Sequence, residues 1–393
     1  MQTSTQIPRH DYLEELVDKL PWQHIADSPT TRHYTDWSVF EKVLRGEYST
    51  ASENYSLILQ GYDALIGCNG VQSSEPKEGI AVYRLNEAAG EHRRLFGRLV
   101  AMDENKLTAA HYARLEEPYI VAVKEPGVYR VGVCGRPGSG WSSTHLVIHV
   151  PARTKASLLV EIAGPYHGSV VMETFIEESS SLELLSVARP TKSSVLAIIS
   201  RRSIAPRARL VSASLYRASA MHRIEEETLL QQHAEYVHRG IAVGRNNERI
   251  DYIANTFHDG RESRSNVELF GYALDESFVS ARGVSTIREQ AEDSAAHFDA
   301  EVLILGERAK AYTMPLMEIN TGQVEAASHH AAQYRVPRDV VFYMQTRGLS
   351  PGEAIRLMFN ERTLSAIESL AEIGKTISNT DKEKLVESLL ALS

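Results

Sequence analysis

From Ala156 to Gly306 the chain passes through one short apolar segment after another, with no long amphipathic helix between them. The segments ASLLVEIAG, GSVVMETFIEE, SLELLSVAR, SSVLAIISR, ARLVSASLY, IDYIANTFH, SNVELFGYAL and AEVLILG follow in order, separated mostly by Ser, Arg, Asn, Asp and Gly. Their length and punctuation are those of strands. A fold that alternates strands with helices needs amphipathic stretches between the strands, and this region has none. Many short strands in series lead to a sandwich, a barrel or a β-solenoid. No crisp fixed period stands out, so this pattern leaves the three open.

The flanks read differently. Tyr12, Leu13, Leu16, Val17 and Leu20 recur at helical spacing, with Asp11 placed to cap and Pro21 to end the helix. A second helix is expected from Trp37 to Leu44, closed by Gly46. From Ser56 to Gly164, runs such as SLILQGYDALIG, YIVAVKEPGVYRVGVCG and THLVIHV read as strands. Near the C-terminus, Ser350-Pro351-Gly352-Glu353 forms a capping box with proline at the first helical position. Ile355, Met358, Ile367 and Leu370 mark an apolar face, and a break is expected at Gly374. Thr380 with Glu383 repeats the capping pattern before a last helix carrying Leu385, Leu389 and Leu392.

A net charge of −9 argues against a nucleic-acid platform, which carries a basic surplus. No apolar run is long enough for a membrane helix, and the first residues do not read as a secretory signal. The two cysteines, Cys68 and Cys134, lie far apart and form no CxxC. The expectation is therefore no disulfide framework, a reducing cytoplasmic compartment, and no self-contained four-cysteine cluster or zinc site.

Few motifs carry chemistry. Gly135 to Ser143, GRPGSGWSS, resembles a phosphate-binding loop, but Trp141 stands where the lysine must be, so a glycine-rich turn is the plainer reading. Cys134 has no base that spacing can assign to it and reads as a buried strand cysteine. His258, in FHDGRESRS, is a possible ligand or a residue of a turn between strands. His329 and His330 are the best chemical candidates. Neighbours on a strand face opposite ways, so only one of the two is expected to face a given partner. Imidazole ligates iron and zinc and replaces cysteine on some iron–sulfur clusters; the alternative is a pair of structural histidines.

The stretch PLMEINTGQVEAASHHAAQYRVPRDVVFYMQTRGLSPGEAIRLMF, from Pro315 to Phe359, joins these pieces. The strand Pro315-Leu316-Met317-Glu318-Ile319 is followed by Ser328-His329 with Ala331 beyond. Phe342-Tyr343 and Arg347-Gly348-Leu349-Ser350, with Ala354, complete the order. Phe270-Gly271 and Arg282-Gly283 fall in step upstream. This series resembles the C-terminal signature of the SufB/SufD family of iron–sulfur cluster assembly proteins.

The resemblance implies a mainly β chain: a right-handed parallel β-helix over residues 80–335, flanked by N-terminal (1–79) and C-terminal (336–393) helical regions. It implies a non-catalytic subunit that pairs with a B-type or identical subunit and docks a SufC-type ABC ATPase. The docking candidates are Arg347, Leu349, Arg356, Met358, Phe359 and Arg362. No cofactor is expected to be stably bound; a transient iron–sulfur cluster at the subunit interface is. His329 is the expected cluster-assembly residue and metal ligand. His330 is the alternative, because the spacing from Val324 is one residue longer than in many relatives. B-type members carry a cysteine just before the Ser-His pair, where this chain has Ala326 and Ala327, so the resemblance is more D-type. The competing readings are a carbohydrate-active β-helix enzyme, which needs a carboxylate pair that spacing does not supply, and a structural solenoid that only binds partners.

Overall fold

The computed structural model describes residues 10–28, 30, 32–49, 53–68, 77–336 and 338–390. Two nine-stranded sheets face each other. The first contains, in order, β1 (Ala64–Ile66), β4 (Gly127–Cys134), β6 (Lys155–Gly164), β8 (Ser181–Pro190), β10 (Arg209–Arg217), β12 (Glu235–Gly244), β14 (Arg264–Ala273), β16 (Ser294–Ile304) and β18 (Val324–Arg335). The second contains β2 (Ile80–Arg84), β3 (Pro118–Val123), β5 (Ser142–Val150), β7 (His167–Ile176), β9 (Val195–Ile204), β11 (Met221–Leu230), β13 (Arg249–His258), β15 (Phe278–Ile287) and β17 (Lys310–Ile319). Every pairing is parallel except β2 with β3. Successive strands alternate between the sheets, so the chain winds into the parallel β-helix that the resemblance implies.

The winding explains why no fixed period is visible. Lys155 pairs with Ser181, Ser181 with Arg209, Arg209 with Glu235, Glu235 with Arg264 and Arg264 with Ala295, so successive coils are 26, 28, 26, 29 and 31 residues long. The strands keep step while the corners vary. One corner is nevertheless regular. Arg153, Ser179, Arg207, His233, Glu262 and Asp293 all take left-handed backbone angles. Each donates its amide to a carbonyl one coil further on, as in His233 to Arg261 at 2.9 Å and Glu262 to Glu292 at 2.9 Å. Left-handed geometry costs a non-glycine residue about 1–2 kcal/mol; the stacked hydrogen bonds offset it. At Gly283 the coils approach so closely that a Cβ would lie 1.8 Å from the Ala254 carbonyl oxygen, so only glycine fits.

Inward-facing side chains fill the solenoid with Val, Ile, Leu and Ala, from Val131 and Leu158 to Phe298 and Val302. Midway the filling turns polar. Glu226 bonds Arg202 at 2.8 Å, Tyr216 at 2.8 Å, Tyr252 at 3.0 Å and Ser214 at 3.0 Å, with His238 at 3.1 Å. Burial by itself raises such a carboxyl, but Arg202 and His238 more than offset it and hold Glu226 down to about 2.

Helices cover both outer faces. The N-terminal α1 (His10–Lys19), α2 (Trp37–Leu44), α3 (Gly90–Arg93) and α4 (Lys106–Ala113) lie against the second sheet, where Leu13, Phe40 and Leu107 meet Val147, Val171 and Ile199. The C-terminal helices are α5 (Arg338–Thr346), α6 (Pro351–Glu368), α7 (Ala371–Thr376) and α8 (Asn379–Leu390). Ile367, Leu370, Leu385 and Leu389 pack on Val187, Leu215 and Ile241 of the first sheet. Charges on that sheet complement the helix ends. Glu183 accepts the first amides of α7, Glu372 at 2.9 Å and Ile373 at 3.2 Å, while Arg245 donates to the Leu390 carbonyl of α8 at 2.7 Å.

Several expectations are corrected. Helices α3 and α4 interrupt the region read as strands. Helix α4 is buried on nearly every side, so it shows no amphipathic period. Gly374 lies inside α7, and the last helix is capped by Ser378, whose Oγ accepts the Asp381 amide at 3.1 Å, rather than by Thr380. The capping box at Ser350 is present. The two cysteines are not separate: Ile66 of β1 pairs with Val133 of β4, which brings Cys68 and Cys134 to a Cα separation of 4.8 Å in a disulfide. Their separation of 66 residues concealed a pairing that only the coil register creates. No described helix is long and apolar enough to cross a membrane.

Candidate functional site

The sheets end differently from how they begin. Strands β17 and β18 are the terminal strands, each paired on one side among the described residues. Most of β18 is exposed, and Leu316, Ile319, Val324 and Tyr334 present apolar surface there. The candidate histidines lie on this last coil.

A bulge decides which way they face. Ser294 pairs with Val324, but Ala295 pairs with Ala326, so Glu325 is the extra residue. It reaches back to Arg264 at 2.5 Å. Beyond the bulge His329 sits opposite Phe298 and His330 opposite Asp299. Phe298 is a core residue, so His329 lies on the inward face at the open mouth of the solenoid. His330 is on the outer face, exposed, with Nδ1 3.7 Å from Glu301. The two histidines thus face opposite ways.

The outer face holds a polar row. His297 Nδ1 lies 2.6 Å from the Ser328 hydroxyl, and its Nε2 is 3.0 Å from Asp299. The other Asp299 oxygen, Oδ1, is buried without a partner. Glu301 stands between His330 and Arg362, whose guanidinium is 4.0 Å away. Burial, with Glu301 next, raises the Tyr334 phenol above its ordinary range. Alternation in AAHFDAEVLI places His297, Asp299 and Glu301 on one face; that pattern was the available signal for these residues, and the sequence reading passed over it. Among the described residues no group of three or more His, Cys, Asp or Glu is arranged to hold a metal ion. His258 is remote from this end: it is buried, bonds Ser263 at 2.7 Å and Ser265 at 2.8 Å, and burial pushes it down to about 4.

The docking candidates divide. Arg347 and Arg356 are exposed, and Arg347 stacks 5.3 Å from the Tyr343 ring. Leu349 is half-buried. Phe359 is fully buried, edge-on to Tyr272 at 4.9 Å, so it anchors α6 to the solenoid and is no part of an exposed surface. Met358 and Arg362 line a cleft of about 300 Å³ with Phe270, Tyr272, Glu301 and Tyr334. Arg362 lies 4.3 Å over the Phe270 ring. Residues that sequence reasoning did not nominate supply the exposed apolar surface: Phe342, Tyr343 and Leu357 are 65%, 58% and 55% exposed. Their signal was the aromatic pair in DVVFYM, on a helix with little else to cover it.

Comparison with known proteins adds an independent line. A family profile described as SUF system FeS cluster assembly, SufBD core domain, matches residues 135–361. An iron–sulfur cluster assembly SufBD family protein of Synechocystis is 28% identical over 145 residues, 35% of this chain and 30% of that protein. One from Pyrococcus horikoshii is 23% identical over 321 residues, covering 77% of this chain and 71% of its own length. The iron–sulfur cluster assembly protein SufD of Bacillus subtilis is 27% identical over 118 residues, 30% of this chain and 27% of that protein. The matched part spans roughly a quarter to a third of the length of several of these relatives, 24% for one from Porphyra purpurea.

Proposed function

Because the chain belongs to the SufBD family of iron–sulfur cluster assembly proteins, we propose that it serves cluster assembly as a non-catalytic, D-type subunit. It pairs through the open end of its solenoid with a B-type subunit or a second copy, and docks an ABC-type ATPase through α5 and α6. A cluster is its cargo, held briefly at the subunit interface and not as a resident cofactor.

The observation that carries the reading is the last coil. A strand edge left unpaired with apolar side chains around it is normally covered by another chain. His329 stands at that mouth, so a partner seated on the edge meets its imidazole. Among the described residues one chain gathers too few donors there for a cluster, which suits a site completed by ligands from a partner. Phe342, Tyr343 and Leu357 beside Arg347 and Arg356 form the mixture of large apolar groups and arginine that interfaces favour.

Co-purification from the native source tests the proposal: an ABC ATPase should accompany the chain, and its absence under gentle extraction would refute the assignment. Phe342→Ser with Arg356→Glu should weaken ATPase binding at least tenfold without changing Tm; unchanged affinity would move the docking surface elsewhere. His329→Ala should abolish cluster delivery at unchanged Tm, while His330→Ala should have the smaller effect.

A further inference from the structure

All three tryptophans of the chain, Trp22, Trp37 and Trp141, gather on the outer face of the second sheet, far along the sequence from the histidine-bearing coil. Trp22 stacks on Trp37 at 5.4 Å and on Trp141 at 6.1 Å. Beside them opens a cleft of about 710 Å³, lined by Trp22, Trp37, Gln23 and Thr35 together with Arg32, His33 and Arg249. Asp36 also borders it, but its carboxylate caps α2 through Ser38, at 3.1 Å to the amide and 2.6 Å to the hydroxyl.

Arg249 is the anomaly. The buried arginines Arg201, Arg202, Arg223 and Arg282 each pair with a carboxylate. Half-buried Arg249 makes no ion pair among the described residues and stacks 4.5 Å from the Phe278 ring; its Nε is buried without a hydrogen-bond partner, as are those of Arg202 and Arg223, so the missing carboxylate is what sets it apart. The nearest carboxylate on its own strand face, Asp251, is taken up by Arg282, Arg223, Ser280 and Thr35. Asp27, close to His33 at 3.9 Å, is engaged by Arg282, Gln23 and the Tyr34 amide. His33 Nδ1 is a second buried atom without a hydrogen-bond partner in the same wall. A guanidinium withdrawn from water is normally matched by an anion, and its planar fork fits the oxygens of a phosphate.

We infer that this cleft binds a small phosphate ester. The phosphate pairs with Arg249 and is shared with Arg32 and His33, and the ester's ring or apolar part lies along Trp22. Two fixed cations suit a dianionic phosphate better than a singly charged carboxylate.

The clustered tryptophans provide the readout, since all of the chain's tryptophan fluorescence originates beside the cleft. Phenyl phosphate titrated into the full chain should change that fluorescence saturably, with the affinity confirmed by calorimetry. Inorganic phosphate should compete, and benzoate should bind at least tenfold more weakly. Arg249→Gln should weaken phenyl phosphate at least tenfold. Arg32→Gln, at an exposed side chain, should weaken it several-fold and decides the matter if Arg249→Gln does not fold. No saturable binding, benzoate binding as tightly as phenyl phosphate, or the wild-type affinity in a folded variant overturns the inference.

Discussion

Acid should destabilise this protein at a pH where carboxylates are still ionised. His222, His238 and His258 are fully buried, and desolvation pushes each imidazole from 6.5 down to about 4. Burial keeps each neutral against bonds that only partly compensate it: His222 to the Arg217 carbonyl at 2.7 Å, His238 to Ser212 at 2.8 Å and Tyr252 at 2.7 Å, His258 to two serines. Between pH 6.5 and 4 the unfolded chain takes up a proton at each of these positions and the folded chain does not. Stability therefore falls as pH falls through that window and levels off below about 4. At pH 5 each histidine forfeits about 2 kcal/mol relative to neutral pH, so the three together cost about 6 kcal/mol. That is a large part of the roughly 5–15 kcal/mol by which domains are stable. For a chain of this length it corresponds to a drop in Tm of roughly 7 °C. Glu104 and Glu248, whose carboxyls burial raises, act in the opposite direction once the pH reaches their folded-state values. His111, His149 and His167, which burial also depresses, add to the fall in the same direction. Calorimetric melts at pH 7, 6 and 5 provide the assay, with His238→Gln making the slope shallower. A Tm that is flat from pH 7 to 5, or a slope unchanged in the variant, would refute the reasoning.

Two further outcomes follow from the packing. Glu183→Ala strips the first amides of α7 of their acceptor and should loosen the C-terminal helices by about 1–2 kcal/mol; hydrogen exchange over 371–390 should rise while β8 to β12 stay protected. Arg202→Leu strands Glu226 inside the solenoid and should cost about 3–5 kcal/mol in urea unfolding, whereas Arg202→Leu with Glu226→Leu should recover much of it; a double variant as unstable as the single would show that the network matters for more than its charges.

The strands were legible because each alternates or runs apolar for about ten residues, as in ASLLVEIAG of β6 and SSVLAIISR of β9. Choosing among sandwich, barrel and solenoid needed the corners, and corners that vary by several residues hide the period. The stacked left-handed residues are a shared signal, but Arg, Ser, His, Glu and Asp occupy them in turn, so conformation repeats where residue type does not. Helix α4 and the disulfide were illegible for a common reason. Each depends on what the coil brings alongside, the one by burial on all sides and the other by the pairing of β1 with β4.

The two histidines show how one residue governs the reading of a site. Strand alternation requires His329 and His330 to face opposite ways, but it does not say which faces in. That depends on register, and register depends on whether the residue inserted after Val324 is absorbed. The bulge at Glu325 absorbs it, held outward by Arg264. Inserting one alanine between Ala327 and Ser328 would shift the rest of β18 by one residue against β16, which exchanges its two faces. His329 would then lie opposite Asp299 and His330 opposite Ala300, a core residue. If the inward histidine at the solenoid mouth serves assembly, the insertion should transfer sensitivity from His329 to His330: His330→Ala in the insertion background should be the damaging change and His329→Ala the mild one. Cluster transfer measured on the four chains decides it. Unaltered dependence on His329 in the insertion background would mean that position in the sequence, and not the face it occupies, makes that residue matter.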